Sequence, residues 1–364
     1  MAGTLALPHS VTQHMAVALA AAKKPSVVWL EFQDCAGCTE SFLRAASPTV
    51  GDIVLNLLAV EYHETIMAAS GRRAVKSLDD VTAAGGHIVV VEGAIPMKDN
   101  GVYCTIGGRT AIDILQQATK NAAAVIAVGN CAAFGNVPAA HPNPTGARGV
   151  RGLIAGVPLI NVAGCSMNAD NFTATLVHYL TFNAWPSTDY LGRPRFAFRE
   201  RIHDRCERRG YFDAGQYVET WGDEGHRLGW CLYKMGCKGP QTYHNCPSQR
   251  WNEGREWPVG AGHGCIGCGQ PDFWDALGPI YQRLPNVPGF GVEGTADRVG
   301  LALTGVMAAG IAAHAVGTVI RRRAIGRHAI PEAPADAGEP EPAAEAQPQD
   351  TQPKQGGQDD QDRH

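Results

Sequence analysis

Apolar residues fall along this chain in short runs separated by polar or alanine-rich stretches. Residues 26–32 (SVVWLEF), 53–60, 87–92 (HIVVVE), 124–129 (AVIAVG) and 158–162 (PLINV) are brief, branched and almost continuously apolar. Runs of that length and character predict strands buried on both faces. The segments between them are long enough for helices, and such alternation predicts a parallel α/β sheet. Ahead of the first run, residues 15–22 are apolar but few. Lys23 and Lys24 follow that stretch rather than precede it, and no twin arginine stands upstream. By these signs 1–24 is not a complete export signal and is expected to be a flexible N-terminal arm.

After about residue 195 the periodicity fades, and Gly, Pro, Trp, His and Cys become frequent. This texture predicts a small loop-rich region organised around bound centres. Residues 299–320 then form a run of 22 without Asp, Glu, Lys or Arg, closed by Arg321, Arg322 and Arg323. A membrane span needs roughly 20 such residues, so a C-terminal transmembrane helix is expected, the alternative being an ordinary buried or surface helix. Residues 331–364, rich in Pro, Ala, Glu, Gln and Asp, are expected to be disordered.

The chain has 364 residues, enough for two domains and additional segments, and a formal charge of −4, which argues against a nucleic-acid partner. The informative count is 11 cysteines. An odd number suits a disulfide framework poorly, and a chain this long has no need of staples. Cys35 and Cys38 follow the first strand, Cys131 follows the run at 124–129, and Cys165 follows that at 158–162. Parallel sheets bind ligands at the carboxyl ends of their strands, so three strand ends deliver four thiolates to one rim.

A thiolate-bound cubane takes four ligands and a three-iron cluster takes three. The first set is Cys35, Cys38, Cys131 and Cys165. A second is His203 with Cys206, Cys231 and Cys237, in which His-x-x-Cys replaces one sulfur of C-x-x-C by a neutral imidazole. That exchange should raise the potential. A third is Cys246, Cys265 and Cys268, with no fourth cysteine nearby; Pro258, in the intervening loop, is the candidate for the missing ligand's place. Cys104 is left over as a small buried residue. Structural zinc is the competing chemistry, but it is nearly always four-coordinate, and zinc knuckles pair compact motifs rather than distant strand ends.

The run from Trp29 through Cys35-Ala-Gly-Cys38 to Ser41 resembles the opening motif of nickel–iron hydrogenase small subunits. So, in order, do Glu92-Gly-Ala-Ile-Pro96, Gly129-Asn-Cys131-Ala-Ala-Phe-Gly135, His203-x-x-Cys206, Cys237-Lys-Gly-Pro240, Cys246-Pro247, Gly262-His-Gly-Cys265-Ile-Gly-Cys268 and Phe273-Trp-Asp275. The resemblance covers about 25–290. It implies a flavodoxin-like domain (25–194) with a proximal [4Fe–4S] cluster on Cys35, Cys38, Cys131 and Cys165. It implies a small irregular iron–sulfur domain (195–292) with a medial [3Fe–4S] cluster on Cys246, Cys265 and Cys268 and a distal [4Fe–4S] cluster on His203, Cys206, Cys231 and Cys237. A transmembrane anchor (297–323) and a disordered tail (324–364) complete the division.

In this family the nickel–iron centre that splits H2 belongs to the large subunit, so the chain is expected to relay electrons and not to cleave H2 itself. Oxygen-tolerant relatives add two cysteines at positions matching Gly37 and Asn136, so their six-cysteine cluster is not expected here. Gly164-Cys165-Ser166 also lacks the prolines common after that cysteine. The arginines after the span, Arg327 included, place the C-terminus in the cytoplasm and the clusters on the outer, periplasmic face; the inward arrangement is the alternative. His314, inside the span, faces either a cytochrome b partner or a helix interface. Expected partners are therefore the large subunit, a cytochrome b-type membrane acceptor and membrane lipid. The competing function is an electron-transfer component of a complex-I-like assembly, which generally lacks the second cluster region.

Overall fold

Four apolar runs of the sequence, joined by the segment Ala59–His63, meet side by side because the runs are apolar on both faces. In the computed structural model, which describes residues 1–284 and 295–325, they form one parallel sheet. Its strands are β1 (Ser26–Glu31), β2 (Ala59–His63), β3 (Ile88–Glu92), β4 (Ala124–Val128) and β5 (Leu159–Val162), in the order β2-β1-β3-β4-β5. That is the flavodoxin-like order. Register runs Val27↔Ile88, Ile88↔Ala124 and Val125↔Leu159 across the centre.

Alternate residues feed two cores. Val27, Trp29, Ile88, Val90, Ile126 and Val162 face Phe42 of α2 (Gly37–Leu43) and Phe172 and Leu176 of α6 (Ala169–Phe182). Val28, Leu30, Val89, Val91 and Val125 face Leu78 of α3 (Arg72–Ala84) and Ile114 and Leu115 of α4 (Ala111–Thr119). A strand flanked by two layers reads as continuously apolar, which is why these runs show no alternation in the sequence. Thr110 accepts from Asp113 N to start α4, and Asn168 accepts from Asp170 N and Asn171 N to start α6.

Two expectations need correction. Residues 53–60 do not make one strand: Ile53–Leu57 is a wide helical turn and the strand is Ala59–His63. Thr49 and Asp52 form a reciprocal capping box that starts a helix at Val50. Ile53, Val54 and Leu57 then reach the core at helical spacing. The first 24 residues are also not a loose arm. They contain α1 (Thr12–Ala21), whose Met15 packs with Leu5 against Ala174 and Val177 of α6. Val11, Met15 and Leu19, four residues apart, supply the apolar stripe.

Residues Met1–Ala296 make one compact unit. Within it the texture changes after α6 to helices of three to five residues joined by turns. Their small core is Ile202, Val218, Leu232, Trp257 and Val259, interleaved with cysteines. Described by itself, α7 (Thr295–Ile325) is 31 residues long. Its segment Gly300–Ala324 contains an 18-residue stretch of mean hydropathy 1.7 with exposed side chains, and by length and composition it can cross a membrane. The tail expected beyond Ile325, with Arg327, and residues 285–294 lie outside the described residues.

Candidate metal centres

The first centre stands where the sheet ends. Cys35 and Cys38 occupy the turn between β1 and α2, Cys131 lies in α5 (Gly129–Phe134) directly after β4, and Cys165 follows β5. The sulfurs act on one another electrostatically: Cys38 feels Cys131 and Cys165, Cys131 feels Cys165 and Cys35, and Cys165 feels Cys35. Burial first, then these neighbours, pushes the Cys131 thiol up to about 11 and raises Cys38 and Cys165, with the Glu92 carboxylate adding to the rise at Cys38. Cys38 is buried and Cys131 half-buried while Cys35 and Cys165 stay exposed, so the four sulfurs form a set open on one side, whose mutual repulsion as thiolates a cationic core would offset.

Two features shape this rim. Gly129 has φ +77°, and a Cβ there would stand 2.3 Å from Cys38 Sγ, so only glycine lets β4 turn into α5 against that sulfur. Buried Glu92 accepts from Cys38 N (2.8 Å), Thr39 N (3.0 Å), Thr39 Oγ1 (2.7 Å) and Trp29 Nε1 (3.2 Å), which fixes the start of α2. Met167 N and Asn136 Nδ2 donate to Cys38 Sγ and Cys131 Sγ, each at 3.5 Å. Gly37 and Asn136 thus both stand against ligand sulfurs.

The second centre gathers His203, Cys206, Cys231 and Cys237 around one small cavity walled by Leu232, Tyr233, Pro240 and Val259. Burial raises Cys206 to about 11 and Cys231 to about 12. It also lowers His203 to about 4, helped by Arg209, which keeps the imidazole neutral, the form that binds metals. Arg208 N and Gly239 N each donate to the sulfur two residues earlier, Cys206 and Cys237, at 3.4 Å.

The third centre is a cavity of about 540 Å³ whose wall includes Cys246, Cys265, Cys268, Trp257 and Pro258. Burial raises Cys246 and Cys265 strongly and Cys268 to about 11. Gly267 N donates to Cys265 Sγ at 3.4 Å. Cys165 of the first centre lines this same cavity. Cys265 N donates to Cys237 Sγ of the second at 3.3 Å. The three centres therefore stand in a row, with the third in the middle.

All eleven donors singled out from the sequence fall into these three groups. Among the described residues no three His, Cys, Asp or Glu side chains converge tightly enough for a single metal ion. Sulfurs that are grouped but held apart suit a multi-iron cage better than zinc. Cys104 packs beside the second sheet core, away from the three groups.

Three further residues escape a reading of the sequence alone. Glu92 opens one of the quoted motifs, but nothing in the sequence shows that its carboxylate fixes the turn of Cys38. Lys238, 2% exposed, sends its ammonium to the carbonyls of Pro279 and Gln282, and only its place between cysteine motifs marks it. His244, 3% exposed, sits two residues before Cys246 and touches its sulfur.

Known proteins sharpen the picture. Residues 198–281 match the family described as the C-terminal part of the NiFe/NiFeSe hydrogenase small subunit, and 35–179 match NADH ubiquinone oxidoreductase, 20 Kd subunit. The chain is 44% identical to the uptake hydrogenase small subunit of Azotobacter vinelandii, over 88% of this chain and 90% of the relative. It is 43% identical to the quinone-reactive Ni/Fe-hydrogenase small chain of Wolinella succinogenes, over 87% and 92%. Among solved structures, the Ni-Fe-Se hydrogenase of Desulfomicrobium baculatum matches with a TM-score of 0.68 and 34% identity, covering 72% of this chain and 100% of that one. With that breadth of likeness added to three sulfur-lined centres, the first of them at the end of a flavodoxin-like sheet, the chain belongs to the nickel–iron hydrogenase small-subunit family, as the iron–sulfur electron-transfer partner of a large subunit in a hydrogenase heterodimer.

Proposed function

We propose that this protein holds three clusters and passes electrons from H2 oxidation to a membrane acceptor. The proximal [4Fe–4S] cluster is assigned to Cys35, Cys38, Cys131 and Cys165, within 25–194. The medial [3Fe–4S] cluster is assigned to Cys246, Cys265 and Cys268, and the distal [4Fe–4S] cluster to His203, Cys206, Cys231 and Cys237, both within 195–292. The observation that carries this reading is the row itself: Cys165 lines the cavity of Cys268, and Cys265 N touches Cys237 Sγ. Bound clusters supply one-electron carriers; the protein supplies their order, their burial and the N–H donors around the sulfurs.

The acceptor is proposed to be a cytochrome b-type protein feeding quinone, reached from the distal end. The apolar helix α7 and the quinone-reactive name of the Wolinella relative support this. The basic residues Arg321, Arg322 and Arg323 at the end of α7 favour clusters on the outer face. The match of 35–179 to a complex-I protein favours an electron-transfer role in such an assembly instead. The two centres after residue 195 weigh against it, because that alternative leaves them without a task.

The test is metal and sulfide analysis with electron paramagnetic resonance on the heterodimer purified without air. We expect about eleven small-subunit iron atoms per chain, an oxidised three-iron signal and H2-dependent dye reduction. Zinc in place of iron, or the absence of a three-iron signal, would refute the assignment.

A further inference from the structure

His244 is a buried imidazole to which the electron relay gives no role. Its Nδ1 stands 3.0 Å from Cys246 Sγ. Its Nε2 has no hydrogen-bond partner among the described residues. Phe198 meets the ring edge-on at 4.9 Å, and the main chain beneath it is fixed by His244 N donating to Glu200 O at 3.2 Å. We propose that His244 donates its Nδ1–H to the Cys246 sulfur and thereby raises the reduction potential of the medial centre, which makes it a positioning and tuning residue for electron transfer. This rests on the assignment of Cys246 to the three-iron cluster.

The proton assignment follows from the acceptor. An iron-bound thiolate has lone pairs and no hydrogen, so the 3.0 Å contact is attractive only if Nδ1 carries the proton. That tautomer leaves a lone pair, rather than a buried N–H, unmatched at Nε2. Trp251 is a second side-chain donor to the same sulfur. Both rings belong to a largely apolar cavity wall, which strengthens the bond. Reduction adds one electron to the cluster and spreads negative charge onto its sulfurs. A fixed donor stabilises the reduced form more than the oxidised one, so the potential rises.

The experiment is a redox titration of the three-iron signal in the purified heterodimer, comparing the native chain with His244→Leu and His244→Gln. Losing one charge-assisted donor should lower the reduced-to-oxidised ratio at a fixed potential about tenfold in His244→Leu, or about 59 mV for a one-electron centre. His244→Gln, which keeps an N–H, should recover most of the shift. A full-strength signal with an unmoved midpoint in His244→Leu overturns the inference and leaves the cluster assignment standing. Native protein without any three-iron signal overturns both. Native protein grown with nitrogen-labelled histidine gives a check that needs no substitution: pulsed resonance should detect nitrogen coupled to the three-iron signal, and its absence overturns the donor role.

Discussion

Gly129 shows how much of a cluster site is set by one missing atom. Its φ of +77° is costly for any L side chain, and the Cβ of alanine would lie 2.3 Å from Cys38 Sγ. The sulfur would have to leave its place in the set of four. Gly129→Ala is therefore expected to lose about four iron atoms per chain while the three-iron signal persists, since the medial cysteines are held by other turns. Iron analysis and spectroscopy on one preparation check both halves. At this scale the candidate donors that the structure groups were legible because chemistry restricts such donors to Cys and His at short spacing. Their supports were not. Glu92 and His244 matter through partners 54 and 2 residues away that only the fold reveals.

Among the elements, β3 and α4 are tied by His87, whose ring Nε2 meets Ala118 O at 2.8 Å. Burial lowers its pKa from 6.5, opposed by that carbonyl. Below pH 6.5 the unfolded chain takes up a proton that the folded ring refuses, so the unfolded state binds more protons. Stability is then complete above that pH and declines through the window beneath it, until the folded ring itself protonates. The slope from this one group is up to about 1.4 kcal/mol per pH unit. Melting temperatures of the native chain and His87→Gln, which keeps a donor for Ala118 O, should converge on acidification, the variant having the flatter profile. Four of the five strands were legible because sheets covered on both faces leave uninterrupted branched runs. The stretch 53–60 misled because its apolar residues suit a strand equally well. The Thr49–Asp52 capping box, a local polar signal, decides for helix.

For the whole molecule, two requirements meet: a row of cysteine-lined candidate centres inside Met1–Ala296, and an apolar helix whose described side chains are exposed. Segment Gly300–Ala324 is about 38 Å long at helical rise, against about 30 Å of bilayer hydrocarbon. Leu301, Leu303, Val306, Met307, Ile311, Val316, Val319 and Ile320 are all exposed on it. At about 1.5–3 kcal/mol for each large apolar side chain removed from water, a bilayer gains more from this helix than any few salt bridges could oppose. The three arginines that close it then stay at an interface rather than cross. Ending the chain ahead of Val299 should therefore leave the ligands untouched and move the heterodimer from the membrane fraction to the soluble one. Dye reduction by H2 should survive there while reduction of quinone is lost, because only the second activity needs a partner within the bilayer. If truncated protein still sediments with membranes, attachment runs through another surface and α7 is not the anchor.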